Sequence, residues 1–82
     1  MDKEEAEYMM QKIVKASQAF EEAPTYLRAL ELDKDLSILR YLIGEDNFLT
    51  LHYFRRVHEE AIKFIDEKEK KDREGEANNV KA

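Results

Sequence analysis

The densest apolar part of the chain is Leu36–Ile65, in which two apolar arms flank a polar turn at residues 44–47. Six of the eight residues in 36–43, and five of the seven in 48–54, are apolar or aromatic. Neither arm alternates apolar with polar residues, so helices are favoured over strands. Because a connection this short leaves two helices as antiparallel neighbours, the segment predicts a helical hairpin around which the rest of the chain folds.

The turn itself carries residues that end one helix and begin another. Gly44 can adopt the left-handed backbone conformation without a Cβ clash, which is typical of a helix C-terminus. Asp46 or Asn47 can then cap the next helix with a side-chain oxygen. We therefore expect one helix to end at Ile43 and the next to begin near Asn47.

The composition favours a small helical domain in the cytoplasm, or at least inside the cell. The chain has 82 residues, one proline, two glycines and no cysteine, which indicates one helix-rich domain without disulfides. Its net charge of 14 − 19 = −5 disfavours non-specific binding to nucleic acid or to anionic membranes. No apolar run is long enough to span a bilayer, and the first residues lack the basic region of a signal peptide.

We predict an all-α fold, a small three-helix antiparallel bundle that is built on the hairpin and that can dimerise into a larger bundle. The predicted helices cover residues 2–21, 25–43 and 47–72, which form a single domain, and residues 73–82 are expected to be a flexible charged tail. Each helix carries one apolar stripe with the spacing of a packed face. In the first two helices the stripes are Ala6, Met9, Ile13, Ala16 and Phe20, then Ala29, Leu32, Leu36, Leu39 and Ile43. In the third the stripe is Leu51, Phe54, Val57, His58, Ala61, Phe64 and Ile65.

Two places in the first half leave alternatives open. Pro24 suits the first turn of a helix, so the second helix is expected to begin at Pro24 or Thr25, and a kinked continuation of the first helix is the alternative. Residues 33–35, Asp-Lys-Asp, can interrupt the second helix, with Asp35 capping a shorter segment. We favour one uninterrupted helix there.

The sequence predicts neither an enzyme nor a cofactor or metal site. His58 lies on the apolar face, but the positions three and four residues away hold no second histidine or carboxylate. We therefore interpret His58 as a partly buried histidine with one hydrogen-bond partner. The chain has no Gly-rich phosphate loop, no nucleophile elbow and no HExxH motif. Nothing in it indicates a small-molecule substrate.

Two nucleic-acid hypotheses compete with a protein-binding function. The outline around Gly44 resembles a helix-turn-helix, with Arg55 and Arg56 on its second helix, and suggests a DNA-binding transcriptional regulator. The apolar start of that helix and the net charge oppose this. Residues 1–23 carry three positive and six negative charges, so an acidic nucleic-acid mimic that inhibits a basic partner is the other alternative.

The function we expect is non-catalytic protein binding, as a small acidic adaptor, inhibitor or regulatory subunit. One neighbouring helix covers one apolar stripe, and the hairpin has apolar residues outside its stripes. Exposed apolar surface of this kind is typical of an interaction site. We expect a homodimer, or a partner protein bound at the same patch. The predicted interface residues are Ile38, Tyr41, Leu42, Phe48, Leu49 and Tyr53.

Overall fold

The computed structural model describes the backbone of residues 3–81 and the side chains of residues 3–74. Residues 3–81 form helices only, which confirms the predicted all-α class. In chain order these are α1 (Lys3–Glu22), α2 (Tyr26–Ile43), α3 (Glu45–Thr50) and α4 (His52–Lys81).

The junction between α1 and α2 separates two distinct helices. Thr25 has an extended backbone, and its side chain accepts a hydrogen bond from the backbone N–H of Arg28 at 3.2 Å. The Arg28 guanidinium in turn donates to the carbonyl of Ala23 at 2.7 Å. Thr25 is therefore the N-cap of α2, and the alternative of a kinked continuous helix is wrong. The Asp-Lys-Asp sequence at 33–35 lies inside α2 without interrupting it.

The turn after α2 differs from its predicted chemistry in two respects. Gly44 has φ 89° and ψ 150°, so φ is positive as predicted, but ψ is extended rather than left-handed helical. The side chain of Asn47 does not cap α3 but donates to the carbonyl of Ile43 at 2.7 Å. Asn47 therefore satisfies a free carbonyl at the end of α2 instead of an amide at the start of the next helix.

The single helix predicted over residues 47–72 is divided at Leu51. Leu51 has φ −90° and ψ 83°, and its N–H donates to the carbonyl of Phe48 at 3.0 Å, which closes a tighter turn. The Thr50 hydroxyl donates to the carbonyl of Asn47 at 2.7 Å. This side-chain bond competes with continued helical pairing.

The far end of α4 also differs from the sequence-based boundary. The helix continues through residues 73–81, where the sequence predicts a flexible charged tail. Lys68 and Asp72 form an i,i+4 ion pair at 3.7 Å near the predicted end. Ala82 and the side chains of residues 75–81 lie outside the described part of the chain.

The core forms where α1 and α4 pack on the two sides of α2. Lys12 contacts Asp35 between α1 and α2, and His58 contacts Asp33 between α2 and α4. The predicted stripes of the long helices supply most of this core, with partly buried side chains such as Met9, Phe20, Ile43 and Phe54 packed against it. Its buried apolar members are Ala6, Ile13, Leu32, Leu36, Leu39, Phe48, Val57 and Ala61.

Replacing Gly44 tests the backbone requirement of this turn. The combination of positive φ and extended ψ is essentially confined to glycine, so we expect Gly44→Ala to lower the free energy of unfolding by roughly 1–3 kcal/mol in urea denaturation. A Cβ at this position would meet nothing within 4 Å, so the loss would come from backbone strain alone. A loss well below about 1 kcal/mol would contradict this explanation.

Candidate protein-binding groove

An open groove runs between the N-terminal part of α1 and the C-terminal part of α2. Its volume is about 410 Å³. The residues lining it are Glu4, Glu5, Tyr8, Met9, Ile38 and Leu42. The groove is therefore apolar along its length and carries carboxylates where α1 begins.

Helical spacing places these side chains together. On α1, Glu5 precedes Tyr8 by three residues and Met9 by four, so the three share a face. On α2, Ile38 and Leu42 are four residues apart and share a face in the same way. Met9 and Leu42 are half-buried, whereas Tyr8 is 69% exposed and Ile38 is 37% exposed.

The structure divides the six residues of the predicted interface among several places. Ile38 and Leu42 line the groove together. Tyr41 is three residues from Ile38 on α2 and is 88% exposed. Leu49 is an exposed residue of α3, and Tyr53 lines a separate depression between α1 and α4. Two of the six predicted residues, Ile38 and Leu42, therefore lie together at the groove, and Tyr41 is their neighbour on α2.

Phe48 corrects the predicted interface, because it belongs to the core. Its side chain is 1% exposed. The Arg40 guanidinium lies 5.6 Å from its ring centroid, and the His58 ring meets it edge-on at 5.9 Å. In one continuous helix Phe48 would fall outside the face that contains Phe54, but the break at Leu51 makes α3 a separate helix and Phe48 is buried.

The contribution of α1 to the groove does not follow from its predicted apolar stripe. Met9 belongs to that stripe, and Tyr8 lies outside it. The signal was the pair of methionines, Met9 and Met10, directly after Tyr8, which makes the apolar face of α1 wider than one stripe at this end. A wide apolar face at one helix end predicts that part of it stays exposed.

One turn along from the groove, α1 and α2 share a buried carboxylate. Asp35 is 1% exposed, and its Oδ1 lies 3.5 Å from the Lys12 ammonium. Among the described residues, its Oδ2 has no hydrogen-bond partner. Met9 precedes Lys12 by three residues and Ile38 follows Asp35 by three, so this contact lies one helical turn from the groove on both helices.

His58 has the polar partner that its sequence context predicted. The residue is buried, and its Nε2 lies 2.8 Å from Oδ1 of Asp33 on α2. The contact joins α4 to α2 across the core. Within the part of the chain that the structure describes, no three histidine, aspartate or glutamate side chains come together as a metal site.

A further polar contact joins the start of α2 to α4. The Tyr26 hydroxyl donates to Oε1 of Glu69 at 3.2 Å. Desolvation raises the pKa of Tyr26 above its usual value of 10.0, and the hydrogen bond to Glu69 and the negative charges of Glu69 and Asp72 add to this. Tyr26 therefore remains the protonated donor of this contact at neutral pH.

Comparisons with known proteins identify neither a family nor a function for this chain. Neither protein-family models, nor curated proteins, nor solved structures give a match to this chain. Among the described residues, no helix combines the length with the apolarity that crossing a membrane requires.

Proposed function

We propose that this protein is a non-catalytic protein-interaction module, a small adaptor, inhibitor or regulatory subunit that binds through the groove between α1 and α2. In this proposal the three long helices act as an antiparallel bundle, and the bundle presents Tyr8, Ile38 and Leu42 to a partner. The occupant is an amphipathic helix that lays its apolar face along the groove. This mode of binding uses apolar anchors at helical spacing.

The observation that supports the proposal is the position of exposed apolar side chains. Tyr8 and Ile38 come from different helices and are both solvent-accessible, and they line the same groove. Tyr41 extends the exposed surface along α2. Single exposed apolar residues are ordinary on a protein surface, but a contiguous group marks an interaction site. Tyrosine also suits such a site, because its ring can be buried while its hydroxyl stays in contact with water.

The two nucleic-acid hypotheses have weaker support. In the DNA-binding hypothesis, Arg55 and Arg56 of α4 would contact the duplex. Arg56 lies 3.7 Å from Glu60, however, and Arg55 donates to the carbonyl of Leu49 at 3.4 Å. In the acidic-mimic hypothesis, the carboxylates at the start of α1 would imitate phosphates, but they border an apolar groove that such a mimic does not need.

A site-specific photo-crosslinker tests the proposed function. We place it at residue 41, beside the groove, and at residue 27 as the matched control, because Leu27 is also an exposed α2 residue but does not line the groove. In cells of the native host, residue 41 should give one discrete adduct, and Leu42→Glu should abolish it. Light scattering after size exclusion then shows whether the adduct is a second copy. Equal labelling from residues 27 and 41 would contradict a specific site.

A further inference from the structure

From the charges around the groove, we infer that its occupant is a cationic amphipathic helix of another protein rather than a second copy of this chain. The inference rests on the proposed function and adds the chemistry of the partner: leucine-like side chains on one face, with lysine or arginine flanking them at the end that meets the start of α1.

The charges that line the groove are all negative. Glu4 and Glu5 are its only charged lining residues among those the structure describes. Residues 3–9 carry one lysine and three glutamates, a local charge of 1 − 3 = −2. The groove therefore combines an apolar surface with a negative end, and this combination complements a helix that is apolar on one face and basic beside it.

The cations next to the groove do not reverse this sign. Lys12 follows Met9 by three residues and contacts the buried carboxylate of Asp35. Arg40 lies between Ile38 and Leu42 on α2 and forms an ion pair with Glu45. Both cations are thus engaged within the chain. A basic partner meets the glutamates of α1 rather than these positive side chains.

Self-association brings together charges of the same sign. In a two-fold dimer the same surface of both copies forms the interface. Each copy would bring the same two glutamates and no cation from the described groove lining, so the charges of the two linings would not complement each other. The net charge of −5 on each copy adds a long-range repulsion between copies. A basic partner is instead attracted by the same net charge. The charge distribution thus favours a heterologous partner.

The test compares two designed helical peptides of about 18 residues that share one leucine stripe. One carries lysines beside the stripe and the other carries glutamates. Each is labelled, and its binding to the full chain is measured by fluorescence anisotropy at low and high salt. We expect the lysine peptide to bind up to about fivefold more tightly at low salt, since one exposed ion pair with Glu5 contributes at most about that factor. High salt should reduce the difference.

Charge reversal on the protein gives the matched controls. Glu5→Lys should remove most of the preference for the lysine peptide. Glu59→Lys makes the same change in net charge at an exposed position of α4 that does not line the groove, and it should preserve the preference. Leu42→Glu should abolish binding of both peptides. Ile38→Ser, at a more exposed position, is the second groove variant, and circular dichroism verifies that each variant folds.

The outcomes separate this inference from the proposed function. Equal binding of both peptides, lost in the groove variants, would overturn the cationic partner and leave the groove as an interaction site. If neither peptide binds and the protein is a dimer that Ile38→Ser dissociates, the occupant of the groove is a second copy of this chain, and the inference is overturned. Lysine-peptide binding that survives the groove variants would reduce the effect to non-specific charge attraction and overturn the inference. A folded monomer that binds neither peptide and gives no adduct at residue 41 would overturn both proposals.

Discussion

Phe48→Ala is expected to lower the free energy of unfolding by about 3–5 kcal/mol, because it removes a fully buried aromatic side chain and leaves a cavity. The ring contacts both Arg40 and His58, so its loss also removes a cation–π contact and an edge-to-face ring contact. For a domain of this size such a loss is a large part of the total stability. Urea denaturation followed by circular dichroism measures it.

Leu49→Ala is the matched control for this substitution. Leu49 is the next residue of the same short helix, and it is 44% exposed. Its truncation should change the free energy of unfolding by less than about 1 kcal/mol, since it removes less buried apolar area than the truncation of Phe48 does. If Leu49→Ala were as destabilising as Phe48→Ala, the assignment of Phe48 to the core and Leu49 to the surface would be wrong.

The contact between Lys12 and Asp35 should give stability changes of opposite sign when its two partners are replaced. Asp35→Leu is expected to raise the free energy of unfolding by about 1–4 kcal/mol, because the buried carboxylate has one oxygen without a hydrogen-bond partner among the described residues. Lys12→Met keeps most of the aliphatic side chain but leaves the carboxylate without its cation, and should lower the free energy by about 1–3 kcal/mol. Urea denaturation measures both variants.

The Lys12 side chain is 43% exposed, so after Asp35→Leu its ammonium can turn to water at little cost. A destabilising Asp35→Leu would mean that the carboxylate stabilises the fold outright. A stabilising one would leave the alignment of α1 on α2 as the role that we propose for this contact. Buried ionic groups act in this way in some helical assemblies.

The parts of the fold that could be predicted from sequence depend on local periodicity. The stripes through Ile13 and Leu36 are buried as expected, because residues three and four apart on a helix share one face whatever the helix packs against. The start of the second helix near Thr25 followed from Pro24, but the role of Thr25 as the N-cap was not predicted. The single polar partner of His58 followed from its apolar neighbours, but the sequence could not identify that partner as Asp33.

The break at Leu51 could not be predicted, because leucine is a good helix former and its neighbours fit a helical period. In retrospect, Asn47 and Thr50 gave a signal, since both side chains bond to nearby backbone carbonyls. The missed break explains the error at Phe48. A continuous helix keeps one angular relation between all its residues, so a single interruption changes which residues face the core.

Half of the groove was likewise predictable. Ile38 and Leu42 exceed the single stripe that one neighbouring helix covers, and this excess is visible in the sequence of α2 alone. That Tyr8 and Met9 lie opposite them depends on the register between α1 and α2. Register is a tertiary property, since it follows from side-chain contacts such as that between Lys12 and Asp35 rather than from the spacing within either helix.

The central position of α2 also bears on how the chain folds. The contacts that join α1 and α4 to it, Lys12–Asp35 and Asp33–His58, span 23 and 25 residues of sequence. These contacts are long-range, but most contacts of a helical domain are local, so its contact order is low and folding on the order of microseconds to milliseconds is expected. Both outer helices pack on α2, so we expect α2 to belong to the folding nucleus. Destabilising substitutions in α2 should therefore slow folding, whereas those confined to the outer faces of α1 should mainly accelerate unfolding.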